Sequence, residues 1–186
     1  DFEGSVKTMI DRLGANAIPV QLPIGSESDL LGIIDLVEMK ATIYNDDLGK
    51  DFDVIEIPEE HRERADAAHE VLIDAVTHFD DEIAEQYLEN GEVTPEQLRE
   101  GIRKTVLNIQ MTPVFCGSAF KNRGVQPLLD AVLDRMDLIA QRWRAGLERG
   151  DPGTIALRDA GIMDRHLAKV QHFADRRAPI LEVLSS

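Results

Sequence analysis

Three groups of residues are of types that could do chemistry, and their spacing decides which of them can. The first is Gly117-Ser118-Ala119-Phe120-Lys121-Asn122, set between a short apolar run and an amphipathic stretch. An open α/β sheet places ligands in such loops, at the carboxyl ends of its strands. A small Ser-Ala pair lets backbone N–H groups approach a flat base, although the same six residues would also serve as a plain turn. The second group is Glu59, Glu63, Asp66, Glu70 and Asp74, whose spacing puts five carboxylates on one face of a helix. Like charges one turn apart cost a few tenths of a kcal/mol, so local stability does not select this stripe. Either it docks a lysine-rich partner, whose encounter it would speed, or it is a solvated face. In the second case Glu59 and Glu63 gain from the helix N-terminus.

The third group is the set of metal-binding and nucleophilic types, and it makes no motif. His61, His69, His78, His166 and His172 form no H-E-x-x-H pair, because Ile73 stands where the second histidine after His69-Glu70 would fall. They read as surface or helix-flank histidines. Cys116 is the single cysteine, has no base near it in sequence, and reads as a small buried hydrophobe in a strand. No G-x-x-x-x-G-K-S/T occurs, so the chain has no phosphate cradle, phosphate lysine or magnesium hydroxyl of that kind. Formal D-x-x-G strings at Asp11–Gly14 and Asp46–Gly49 fall at a helix end and a turn and read as chance.

These groups must be positioned by the elements around them. Val6, Met9, Ile10 and Leu13 predict the end of a helix stopped by Gly14. Ala17 to Ile24 alternates as one strand, and Pro19 and Pro23, an even number apart, place it at a sheet edge. A second strand or hairpin covers 32–44, and Phe52–Ile57 gives a third. In 59–79 the apolar stripe Ala65, Ala68, Leu72, Ala75, Val76 and Phe79 predicts a helix carrying the acidic face. A short helix follows over 81–89. Thr94-Pro95-Glu96-Gln97 then supplies an N-cap, a first-turn proline and a capping-box glutamine for a third. Pro113–Cys116 reads as a buried strand leading to the loop, and Val125, Leu128, Leu129, Val132, Leu133 and Met136 begin a helix beyond it.

Composition narrows the function classes. The chain has 186 residues, 43% hydrophobic and 30% charged, as in an ordinary globular protein. Its net charge of −15 argues against autonomous nucleic-acid binding, which needs clustered Lys and Arg, and favours a basic protein partner. No apolar run or signal segment points to a membrane or to export, so the cytoplasm is the expected location. Residues 1–136 hold 28 acidic and 12 basic residues, and 137–186 hold 7 and 8, which sets a candidate boundary near Met136. A first residue of Asp1 suggests a fragment or processed chain.

On these motifs the chain resembles a known family. GSAFKNRGVQPLLDAV at Gly117–Val132 is similar, over sixteen consecutive positions, to the guanine-recognition loop and following helix of bacterial translation elongation factor G. VKTMIDRLGANAIPVQLPIG and GIIDLVEMKA, within residues 1–41, resemble the same factor just after its asparagine-lysine-x-aspartate motif, and FDVIEIPEE resembles the insert that follows. The resemblance covers about residues 1–135. It implies an α/β fold: part of a P-loop GTPase domain, carrying a small α+β insert. Residues 1–15 would be a G-domain helix, 16–110 the insert, 111–136 the strand, guanine loop and helix, and 137–186 a mostly helical tail. It implies that Ser118 and Ala119 contact guanine through backbone amides, with Phe120 shaping the pocket wall, and that GTP or GDP is the family's ligand. It further implies that the insert meets the C-terminal domain of the ribosomal stalk protein, through a helix such as the one bearing Glu59, Glu63, Asp66, Glu70 and Asp74. The family drives translocation on the ribosome by GTP hydrolysis. This chain lacks the P-loop and asparagine-lysine-x-aspartate motifs, so no turnover and no tight nucleotide binding are expected of it alone.

The similarity ends after Asp134, where the family breaks its helix with tyrosine-leucine-proline. Here the apolar phase continues through Ile139, Ala140, Trp143 and Leu147, predicting a helix to about Arg149, ~37 Å long. Asp151-Pro152 starts another segment, and Met163, Leu167, Val170 and Phe173 suggest a last helix. A lineage-specific extension, a recombined fragment and a reading-frame accident would all produce this tail. Three functions stay open: part of the translocase, an isolated docking or regulatory module, and a non-functional truncated product.

Overall fold

The computed structural model describes residues 1–26, 29–46, 49–165 and 167–168. The chain divides into two compact units, Asp1–Gly124 and Val125–Ser186. The first is α/β in make-up, with one parallel and one antiparallel sheet. It opens with α1 (Phe2–Leu13), which Asp1 caps through its carboxylate on the Gly4 amide. Gly14 closes α1 at φ 61, a left-handed turn that a residue without Cβ adopts freely.

The alternating run after it is not one strand. It breaks at Val20 into β1 (Ala17–Pro19) and β2 (Gln21–Ile24), which join different sheets. β1 pairs in parallel with β6 (Thr112–Val114), whereas β2 pairs antiparallel with β3 (Gly32–Asp35). Val20 is the junction: its amide donates to Val114 and its carbonyl accepts from Leu36. Period-two alternation reports which face is buried and not which neighbour supplies the hydrogen bonds, so the change of partner leaves no mark on the pattern. Pro23 lies as expected, since β2 is an edge strand and the Pro23 carbonyl, turned away from β3, accepts from Arg64 at 3.2 Å, whereas Pro19 falls in β1, in the other sheet.

The 32–44 segment is a hairpin of β3 and β4 (Lys40–Tyr44). Asp35 shapes its turn, its carboxylate accepting the Val37 and Glu38 amides at 2.8 and 2.9 Å. β5 (Phe52–Glu56) completes the four-stranded sheet β2-β3-β4-β5. Leu22, Ile24, Ile34 and Ala41 face a layer of helices made by α2 (Glu59–Thr77), α3 (Asp81–Asn90) and α4 (Pro95–Leu107). The helices answer with Ala65, Leu72, Ile73, Val76, Ile83, Leu98 and Val106. Phe79, placed on the apolar stripe by spacing, lies past the helix end and is 37% exposed.

Two polar devices lock the helical layer. Thr94 and Gln97 form the reciprocal capping box at the start of α4, with bonds of 3.3 and 2.8 Å. Asp80, buried to 9% exposure, caps α3 and pairs with Lys104 of α4 at 3.2 Å. That bond holds the Lys104 ammonium above its ordinary range.

In the second unit, α5 (Val125–Glu148) is one unbroken helix, as its apolar phase predicts, and α6 (Pro152–Asp159) follows with Asp151 as N-cap. The charge change near Met136 therefore falls inside a helix and marks no break in the backbone. Gly146 of α5 lies against Thr154 of α6, where a Cβ would come within 2.5 Å of the hydroxyl. Met163 and Leu167 lie in helical backbone, while Val170 and Phe173 fall outside the described residues. Among the described residues no helix is long and apolar enough to cross a membrane.

Candidate functional site

Two surfaces of the first unit hold the residues singled out by sequence. The loop 117–124 leaves the carboxyl side of β6 and folds into a tight hairpin. The Ser118 amide donates to the Arg123 carbonyl at 2.8 Å and the Arg123 amide returns the bond at 3.0 Å. The Asn122 amide donates to Ala119 at 3.2 Å, and the residue sits at φ 49, the left-handed conformation that asparagine tolerates. The Lys121 amide reaches the Ser118 hydroxyl at 3.4 Å. Of the three residues placed at a base by resemblance, Ser118 thus has its amide engaged inside the hairpin. Ala119 is exposed, and Phe120 is 99% exposed and stands clear of the chain.

This hairpin is held from beneath by residues that carry no signal in the sequence. Arg123 is 4% exposed and donates to the carbonyls of Leu30 and Asp46. Its guanidinium lies 5.4 Å from the centre of the Tyr44 ring, within cation–π range. The Tyr44 hydroxyl accepts the Gly124 amide at 2.8 Å, and burial pushes that phenol above its ordinary range. An arginine one residue past a turn reads as solvent-facing, and only the tertiary structure supplies its two carbonyls.

The second surface is the outer face of α2. Glu59, Glu63, Asp66, Glu70 and Asp74 are all exposed there, and none has a basic side chain within 4 Å among the described residues. The basic residues of the same helix are occupied elsewhere. Arg62 pairs with Glu56 at 3.9 Å, Arg64 pairs with Glu3, and the His69 ring donates from Nδ1 to the Leu36 carbonyl at 2.6 Å. Beside the stripe, α1 and α2 enclose an apolar groove of about 490 Å³ lined by Phe2, Val6, Ile10, Leu22, Ala68 and Val71. α1 buries no residue fully, and Ile10 and Leu13 are 48% and 75% exposed.

The remaining reactive types are accounted for locally. Cys116 lies just past β6 and is partly buried, and burial pushes its thiol up to about 12. His61 is half-buried near Glu60, His78 stacks edge-on against Phe79, and His166 and His172 lie outside the described residues. Asp11–Gly14 is the end of α1. Asp46 folds a turn by accepting the Lys50 and Asp51 amides at 2.9 and 3.3 Å.

The fold and site define a mixed α/β chain with an exposed loop and an acidic helix face that has no basic partner among the described residues. No family model matches the chain. Among solved structures it is similar to the crystal structure of a protein from Thermus thermophilus, at 29% identity and a TM-score of 0.60. The match covers 71% of this chain and 19% of that one, so this chain spans about a fifth of the length of the protein it matches.

Proposed function

We propose that this chain works by contact rather than catalysis, as a part of a translational GTPase of the elongation factor G type. In this reading α2 docks the C-terminal domain of the ribosomal stalk protein, and loop 117–122 forms the guanine side of a GTP or GDP site. The phosphate side of that site, and with it hydrolysis and translocation, would lie in residues this chain does not contain. The cytoplasm, where ribosomes work, is its place of action.

One observation carries the docking part. Five carboxylates share one face of α2 without a basic partner among the described residues, while Arg62, Arg64 and His69 of the same helix are already engaged. A single-sign face of this kind beside an apolar groove offers a basic partner both steering and buried area. The isolated docking module is the second reading. It is favoured by the Ser118 amide, which is spent within the hairpin, and by the full exposure of Phe120.

Titration of the chain with the stalk C-terminal domain at two salt concentrations tests the proposal. Binding that weakens as salt rises is expected. No spectral shift at low salt, where screening is least, would remove the docking role.

A further inference from the structure

Burying a charge is costly, and hydrogen bonds to its donors offset that cost. The two terminal nitrogens of the Arg123 guanidinium are met by two separate loops, while its Nε, also buried, has no hydrogen-bond partner among the described residues. Leu30 belongs to the connection between β2 and β3, and Asp46 to that between β4 and β5. Tyr44, under the guanidinium, ends β4 and takes the next amide, that of Gly124. Close backbone packing completes the contact. A Cβ on Gly49, at φ +65, would lie 2.6 Å from the Asn122 carbonyl oxygen and 2.7 Å from that of Lys121. One on Gly124 would meet the Ile33 side chain at 2.6 Å. The hairpin that presents Ala119 and Phe120 is thus gripped by the sheet at several points far away in sequence.

We propose that Arg123 is the positioning residue of this loop. It latches the Ser118–Arg123 hairpin to the β2–β3 and β4–β5 connections, so that the four-stranded sheet sets the conformation in which the loop meets a ligand. That the ligand is the base of a guanine nucleotide rests on the function proposed above, whereas the latch does not. Because the link is made of hydrogen bonds to both connections, a disturbance at either one reaches the loop, and a disturbance at the loop reaches them.

The test uses the whole chain without nucleotide, with amide exchange read residue by residue. In Arg123→Lys the charge remains but the fork that spans two carbonyls is lost. Exchange at Ser118, Asn122 and Arg123 is expected to quicken about tenfold or more, the effect of losing a charge-assisted hydrogen bond. Leu31 and Asn45 should follow, while Leu72 and Val76 of α2 stay within about twofold, as expected of a local opening. Gly49→Ala should quicken the same loop amides from the opposite side, and Tyr44→Phe should release Gly124 first. Unchanged exchange at Ser118 and Arg123 in both Arg123→Lys and Gly49→Ala would overturn the proposal. So would an equal rise throughout α2, which would make Arg123 an ordinary core residue. A separate GDP titration that fails would count against the base-recognition reading and leave the latch standing.

Discussion

Neutralising the acidic face of α2 should make the helix more stable and the protein a weaker partner, two effects of opposite use to the cell. The perturbation is Asp66→Asn, Glu70→Gln and Asp74→Asn together, each nearly isosteric. It removes the like-charge neighbours Glu63/Asp66, Asp66/Glu70 and Glu70/Asp74, which are exposed and lack basic partners among the described residues. At ~0.2–0.5 kcal/mol for each such pair, the relief is on the order of 1 kcal/mol. Asp74 adds to it, since it sits in the last turn of α2, where the helix dipole disfavours an anion. Glu59 and Glu63 are left alone, because their charge is favoured at the first turns. Amide exchange at Leu72, Ile73 and Val76 should slow about fivefold, the equivalent of ~1 kcal/mol. The gain should fade as salt approaches about 1 M, where the screening length falls to about 3 Å. Affinity for a basic partner, read by titration at low salt, should fall in the same variant. An α2 that exchanges faster than wild type would show that the like charges do not destabilise the helix, and an unchanged partner affinity would show that this face does not dock.

The other predictions concern the scaffold. Gly101→Ala places a Cβ 2.3 Å from Val76 Cγ1 and 2.5 Å from Ile83 Cδ1, so overpacking by ~1–3 kcal/mol should outweigh the ~1 kcal/mol that alanine gains in a helix. A lowered urea midpoint of the first unit checks it. Thr94→Ala breaks the capping box of α4 and should cost ~1 kcal/mol by the same measurement, with Thr94→Ser close to wild type. Cys116 has a thiol raised by burial from 9.0 to about 12, so the stability it contributes is complete below the unfolded value and is lost as pH rises through the window from 9 to 12. Cys116→Ser should therefore flatten the fall in stability above pH 9, by at most ~1.4 kcal/mol per pH unit. Iodoacetamide at pH 8 should label the native chain at least ~100-fold more slowly than a free thiol, and equal labelling rates would contradict that burial.

The helices were legible because each depends on short-range information. The stripe Ala65, Leu72, Val76, the capping box Thr94/Gln97 and the Asp151-Pro152 start all carry their signal within a few residues. The division at Val20 was not legible, because it depends on Val114 and Leu36, which are remote in sequence. The candidate site divides in the same way. The acidic face follows from helical spacing alone. The state of the loop does not, since Ser118 meets its own hairpin and Arg123 is buried against Leu30, Asp46 and Tyr44. The length of α5 could be read from its apolar phase, but the charge change inside it carried no information about the backbone.

In the function proposed, the chain supplies contacts and leaves phosphate chemistry to residues outside it. Parallel titrations with guanosine and with GDP plus magnesium, followed by a turnover assay with GTP, test this division most directly. Guanosine and GDP are expected to bind equally weakly, with no magnesium-dependent phosphate release. GDP binding at least ~100-fold tighter than guanosine, a difference of about 2.7 kcal/mol that only phosphate contacts could supply, would contradict it, as would turnover that stops when magnesium is removed.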